Sequence, residues 1–464
     1  MARGVTRRTF LEEAALGGAG WLVLADGRSA RAYAANDRFN VAVIGCGGRG
    51  RRFVEAIPKV ADLVALCDVN GKRAEEALKA HPDLPKFHDF REMLDRMDKE
   101  IDAVTVATPD HTHAQASVMA MRRGKHAYCE KGLTRTVHEA RLMRKVAEEK
   151  RLATQMGNQG SSCRSARRGM ELIQDGVLGE VKEVIAWAAL PVVSRDEAPK
   201  GEQKIPDYLQ WDLWLGYAPY RPFHSQWLGW TQWREFGNGW VGMWGSHGCF
   251  IAWNGLNMLS LWQADPAEKV RIRVEAQVSE INSLSYPRWE VVRYRIPARG
   301  AQPPCDWTWV SGAASAPGWM EKIEAAVETK SGWREKEWTK PVPHAGSVIV
   351  GSKGSLHGVA SNFSFSFVDP GKFKGVDAGT PKRYPLVPGE YEGHEADWLR
   401  AARDGRYTVS DFRNSGPYTE FLMLGNVATR VEGMLEYDPV EGRITNNERA
   451  NALLTCERRK GWEL

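Results

Sequence analysis

Phe39-Asn40-Val41-Ala42-Val43-Ile44-Gly45-Cys46-Gly47-Gly48-Arg49-Gly50 is the stretch that decides the fold. Its first six residues form an apolar run rich in β-branched side chains, which predicts a buried strand. Gly45, Gly47 and Gly50 follow at G-x-G-x-x-G spacing, and Arg51 to Ile57 can form a helix. The first glycine permits a tight turn, the second lets a diphosphate approach the backbone, and the third lets helix pack on strand. The diphosphate then rests on a helix N-terminus, where unpaired N–H groups and the helix dipole favour negative charge. Gly45, Gly47, Gly48, Arg49 and Gly50 are therefore candidate cofactor contacts. A second strand, Leu63-Val64-Ala65-Leu66-Cys67, ends in Asp68. That acid lies at the spacing, roughly 20 residues, from which a carboxylate accepts ribose hydroxyls. Its charge disfavours a 2′-phosphate, so NAD is favoured, and the nearby Lys72 and Arg73 leave NADP open.

Working outward, strands and helices alternate to about Asn158. Ile101 to Ala107 reads as a buried strand, Ala114 to Arg123 as a helix and His126 to Cys129 as a strand. Val137 to Lys150 is an amphipathic helix, and Ala153 to Met156 is one more strand. This alternation predicts a parallel, doubly wound α/β sheet, in which ligands bind beyond the carboxyl ends of the strands. The polar clusters Thr108–His113, Glu130-Lys131-Gly132 and Gly157–Gly160 all fall at such ends. After a helix over Ala166–Gln174 the grammar changes. Val270 to Val278 alternates polar and apolar residues, and Glu290–Ile296 and Ser347–Val350 add further strands. That pattern predicts a second, α+β domain with an open, mostly antiparallel sheet. Helices are expected at His394–Ala402 and Tyr418–Glu436.

With 464 residues, 43% hydrophobic content and a formal charge of +5, the chain has room for two or three globular domains. No basic stripe or amphipathic anchor follows Ala35, which argues against nucleic-acid and membrane-binding roles. Arg3, Arg7 and Arg8, the apolar run Ala14–Ala25 and the small-x-small pattern Ala32-Tyr33-Ala34 read as a secretory leader over 1–34. Thr6-Arg7-Arg8-Thr9-Phe10-Leu11 is of twin-arginine type, which predicts a periplasmic location. The expected organisation is thus a 1–34 leader, a nucleotide-binding domain over 36–158 and a second domain over 159–464. Seven scattered cysteines lack disulfide-framework or metal-ligand spacing, so neither a structural disulfide nor a metal is expected. Of 19 tryptophans, nine lie between Trp211 and Trp262. Most should pack long loops, with one or two free to offer a flat ring to a sugar.

Several stretches together resemble the glucose–fructose oxidoreductase/inositol dehydrogenase/rhizopine-catabolism (Gfo/Idh/MocA) family. They are VAVIGCGGRG, ATPDHTHA at 107–114, YCEKG at 128–132, GNQG at 157–160, LGEVKEV at 178–184, WDLWLG at 211–216, the Gly239–His247 segment and GPYTEFLMLGNVATR at 416–430. The resemblance implies a Rossmann domain, a C-terminal α/β domain often used to form dimers or tetramers, and nicotinamide-dependent chemistry on a sugar or polyol hydroxyl. Lys131 and His247 would then be the proton-transfer residues. Thr108, Pro109, His111, His113, Glu130, Lys131 and Asn158 would support the cofactor. Asn158, Arg164, Trp230, Arg234, Trp240 and His247 would face substrate. Two departures stand out. Gly132 occupies the place of the proline after the lysine, so the backbone beside Lys131 is expected to differ. Met243 occupies the place of an aspartate four residues before the histidine, for which Asp212 and Glu235 are the candidate substitutes.

These readings converge on an exported NAD(P)-dependent carbohydrate oxidoreductase that keeps its cofactor tightly bound. A redox-neutral, NAD-dependent glycosidase and a non-catalytic, cofactor-bearing carbohydrate-binding protein are the competing expectations.

Overall fold

The computed structural model describes residues 38–327, 345–359 and 363–464. The leader expected over 1–34 lies outside them. In the first half, β1 (Asn40–Ile44), β2 (Asp62–Cys67), β3 (Lys86–Phe87), β4 (Ala103–Val106), β5 (His126–Glu130) and β6 (Thr154–Gly157) alternate with five helices. These are α1 (Arg51–Ala56), α2 (Gly71–Ala80), α3 (Phe90–Arg96), α4 (His113–Arg122) and α5 (Val137–Glu149). The six strands make one sheet in the order β3-β2-β1-β4-β5-β6, with every pair parallel. Val41 to Ile44 are buried, as strands covered by helices on both faces must be. The chain reverses its direction of growth between β1 and β4, and there the glycine turn sits. A Cβ on Gly45, whose φ is +79°, would lie 2.7 Å from the Ala107 carbonyl just beyond β4. A Cβ on Gly50 would lie 1.7 Å from the Gly45 oxygen, so only glycine lets α1 start so close to the turn.

The second half contributes α6 (Arg164–Gln174), β7 (Val181–Ala188), α7 (Trp211–Leu215), α8 (Gly239–Met243), α9 (Gly245–Gly248) and α10 (Phe250–Gly255). β8 (Ile272–Val278), β9 (Glu290–Ile296), β10 (Cys305–Ser311), α11 (Trp319–Ala326), β11 (Ala345–Gly351), β12 (Gly354–Val359) and β13 (Phe365–Phe367) follow. The remainder is α12 (His394–Asp404), α13 (Phe412–Ala428), β14 (Leu435–Asp438), β15 (Arg443–Ile444) and α14 (Glu448–Ala452). The nine strands form a sheet ordered β13-β12-β11-β7-β10-β9-β8-β14-β15, antiparallel except for β7 beside β10. On β10, Trp307 and Trp309 face the same side and join the core shared with the first sheet. Val310 points the other way, into a second cluster with Trp187, Val291 and Ile323.

The helix expected over Tyr418–Glu436 needs correction at both ends. Asp411 caps it by accepting from the Arg413 N–H, so it begins at Phe412 and accommodates Pro417. It stops at Ala428. Gly433, with φ +89°, turns the chain, and Leu435 and Tyr437 are buried in β14 against β8 instead. α13 also joins the two halves. Arg141 on α5 reaches Glu420 at 2.8 Å, and Thr154 on β6 donates to Asp411 at 2.8 Å.

Candidate active site

A cavity of about 420 Å³ opens where the carboxyl ends of β1, β2, β4 and β5 meet the second half of the chain. Its wall includes Gly45, Gly47, Arg49, Asp68, Thr108, Pro109, Glu130, Lys131 and His247. One continuous space therefore links the glycine turn to the two expected proton-transfer residues.

At the turn, Asp68 does more than await a ribose. Its Oδ2 accepts from the Cys46 and Gly47 N–H groups at 3.0 and 2.9 Å, and its Oδ1 accepts from Asn70 N–H at 2.8 Å. Burial raises its pKa, against the pull of those N–H groups and Arg73. Arg73 lies over the turn, because a Cβ on Gly48 would sit 2.7 Å from its Nη2.

Deeper in, Glu130 ends β5 and accepts from Arg49 Nε at 3.0 Å and Gln159 Nε2 at 3.1 Å. His113 lies between two carbonyls, Gly132 O at 3.0 Å and Thr108 O at 2.8 Å, and so ties the β4 turn to the β5 turn. The Lys131–Gly132 peptide is cis although no proline follows the lysine. Sterics explain the glycine: a Cβ there would come within 2.1 Å of Asn238 Nδ2. Asn238 in turn donates its backbone N–H to Asp110 Oδ2 at 3.1 Å and its Nδ2 to Thr134 O at 3.3 Å. Gly132→Ala should displace Asn238 and lower stability by about 1–3 kcal/mol, as overpacking a filled interior does. A denaturation midpoint unchanged from wild type would show that Asn238 moves aside freely.

Electrostatics single out three groups. Burial lowers the Lys131 pKa below its ordinary 10.5, opposed by Glu130 and Asp110 and assisted by Arg49. Burial likewise lowers that of His247, with Lys131, Arg49 and His394 pushing the same way, so its imidazole is neutral. Asp110 is 2% exposed, and burial raises its pKa against the pull of Lys131 and the Asn238 N–H. It lines the cavity. A buried carboxylate thus faces the same space as Lys131, although Met243, also in the wall, is apolar.

Sequence reasoning overlooked Asp110, even though it lies inside the ATPDHTHA turn and follows the strand end by only four residues. It also proposed the wrong substitutes. Asp212 pairs with Arg459 and Glu235 with Arg221, both away from the cavity wall. Five further expectations are corrected. His111 points away from the cavity, donates through Nε2 to Trp214 O at 2.9 Å and packs among Trp214, Tyr217 and Phe236. Burial pushes its pKa down to about 3. Asn158 is spent inward on Ser246 O and Ser410 Oγ, and Gln159 lines the cavity in its place. Arg164 pairs with Glu390 at the surface. Arg234 is buried and holds the 282–285 turn through Asn282 O and Ser285 O, each at 2.8 Å. Trp240 packs against the main core. Trp230 does reach the cavity, joined by Trp214 and Trp462. Most of the other tryptophans are packing, as with Trp211, Trp227 and Trp233 in one aromatic cluster.

Residues 39–158 match the family model described as oxidoreductase family, NAD-binding Rossmann fold (GFO_IDH_MocA). Levoglucosan dehydrogenase of Pseudarthrobacter phenanthrenivorans is 26% identical over 152 residues, 31% of this chain and 38% of that protein. Glycosyl hydrolase family 109 protein 2 of Shewanella sp. (strain ANA-3) is 30% identical over 156 residues, 31% of this chain and 34% of that protein. The chain thus spans little more than a third of the length of these curated relatives. The solved structure of levoglucosan dehydrogenase in complex with NADH shares the fold at a TM-score of 0.53 and 16% identity, covering 86% of this chain and 98% of that one. The parallel sheet and the glycine turn are those of a Rossmann fold, and the match to the oxidoreductase family model covers these same residues, 39–158.

Proposed function

We propose that the protein is a nicotinamide-dependent oxidoreductase acting on a carbohydrate or polyol hydroxyl, exported by the twin-arginine route with its cofactor tightly held. The observation that carries this reading is the single cavity joining the glycine turn and Asp68 to Lys131, Asp110 and His247. The residues fit a dinucleotide: a turn that only glycines can build, an acid at the end of β2, and apolar and cationic groups beyond. The bound cofactor supplies a hydride acceptor. Every other task falls to the chain. Lys131, whose pKa burial lowers, takes the hydroxyl proton as the carbon–hydrogen bond breaks. Asp110 faces the resulting ammonium and stabilises it. His247, uncharged, orients the reacting oxygen through a hydrogen bond. Leu213, Trp214, Leu228, Trp230 and Met243 supply apolar wall that excludes water. Names of similar proteins, levoglucosan dehydrogenase among them, support a sugar-like substrate.

Export without a nicotinamide pool favours a cofactor that is reset in place. That, and the 30% match to a glycosyl hydrolase family 109 protein, favours a second reading. In it the hydride would be held on the nicotinamide while the same residues took the hydroxyl proton and then the acidified neighbouring C–H proton; the aglycone would leave protonated, water would add in its place, and the hydride would return, with no net redox change. One experiment separates these. The purified mature protein is denatured, released nucleotide is identified by mass spectrometry, and the holoprotein is offered free sugars and aryl glycosides. Sugar-dependent change in nicotinamide absorbance supports the dehydrogenase. Aglycone release at constant absorbance supports the glycosidase. Sugar binding without hydride exchange from labelled NADH would overturn both.

A further inference from the structure

The cavity has a second end, beyond Asp68 and away from Lys131, walled by Val69, Asn70, His88, Phe90 and, from far along the chain, Trp462. On a Rossmann sheet the acid that ends β2 faces the adenosine ribose, so the space beyond it takes the adenine. We propose that residues 458–462 form a strap closing this end, with Trp462 as part of the adenine-binding surface, so that the strap sets how fast the cofactor leaves. The inference rests on the dinucleotide reading above.

The strap is held on both sides. On the Rossmann side, the Arg91 guanidinium lies 4.1 Å over the Trp462 ring, and Arg91 Nη1 donates to Gly461 O at 3.0 Å. Phe90 meets the same indole edge-to-face at 6.0 Å. Arg458 reaches Glu139 at 2.7 Å, the residue that closes the capping box of α5. On the other side, Arg459 grips α7: its guanidinium donates to the Asp212 carboxylate, to Asp212 O and to Gly216 O, and its N–H donates to Tyr217 O at 3.1 Å. The Trp462 N–H then folds back onto Arg459 O at 3.2 Å. Leu213 and Trp214 of α7 line the same cavity. The strap thus ties the wall at the adenine end to the wall contributed by α7. Trp462 is only 6% exposed, and its ring is fixed before any ligand arrives. A planar base packed on such a ring gains binding without costing side-chain order.

The test uses the full chain loaded with NADH, read by nicotinamide fluorescence during a chase with excess NAD. Stacking of a base on an aromatic side chain corresponds to roughly a ten- to hundredfold change in affinity. Trp462→Ala should release NADH faster by about that factor. Arg459→Gln, which loosens the hold on Asp212 and Gly216 and removes a guanidinium 5.7 Å from the Trp462 ring, should speed release at least severalfold by unfastening the strap. Reduced nicotinamide mononucleotide, which lacks adenosine, should bind both variants and wild type alike. If wild type binds NADH and both variants release it at the wild-type rate, the strap inference is overturned alone. Equal weakening of NADH and the mononucleotide overturns it too, since the lesion is then not at the adenine end. A wild type that binds neither NADH nor NADPH overturns the dinucleotide reading, and this inference with it.

Discussion

Lys131→Met should cut hydride transfer by about a hundred- to ten-thousandfold, the usual contribution of a positioned general base. NADH affinity should stay within a few-fold of wild type, because the turn, Asp68 and Glu130 remain in place. The amine takes a proton only when neutral, and burial among apolar groups lowers its pKa below 10.5. Activity should therefore rise with pH through that lowered pKa. Asp110→Asn removes one of the two carboxylates that oppose the shift. The Lys131 pKa then falls further, and the rising limb of the pH profile should move to lower pH. A variant at position 131 that transfers hydride within threefold of wild type would remove Lys131 from the chemistry. An Asp110→Asn profile that overlays wild type would remove Asp110 from contact with it.

The Rossmann half was legible because its signals are local. The run Val41–Ile44, the glycine turn and Asp68 lie within thirty residues of one another, and each has one physical meaning. Lys131 and Glu130, at the end of β5, do line the cavity. The buried acid in the cavity wall was missed for a different reason. Asp110 looks like any polar turn residue, and its burial depends on Asn238, 128 positions later, donating an N–H to it. Trp462 and Gln159 likewise become wall residues only when distant segments close on them. Arg164 and Arg234 show the converse error. Both arginines read as possible substrate contacts, but Glu390 and the carbonyls of residues 282 and 285 claim these two. Gly132 shows a third kind of limit. A missing proline suggested a changed backbone, yet the glycine serves Asn238, which sequence spacing cannot reveal.

Glu171→Gln should cost about 3 kcal/mol at pH 6, and the cost should vanish in acid. Glu171 on α6 is fully buried. Burial opposes its ionisation, but the N–H groups of Lys382, Arg383 and Tyr384 and the Arg168 guanidinium overcome that and hold its pKa at about 2, against 4.5 for an unconstrained glutamate. The folded state therefore binds this proton less readily than the unfolded chain. The stabilisation is fully present above about pH 4.5 and is lost as pH falls toward 2, and a shift of that size is worth about 3 kcal/mol. The glutamine cannot ionise, so its deficit relative to wild type should be full at pH 6, about half near pH 3 and nearly gone at pH 2. Denaturation midpoints at these pH values test the trend. Hydrogen exchange at residues 382–384 tests its location, since those amides should lose protection in the variant before the Rossmann strands do. A deficit that stays constant from pH 6 to pH 2 would mean that shape, and not the charge on Glu171, holds this segment against α6.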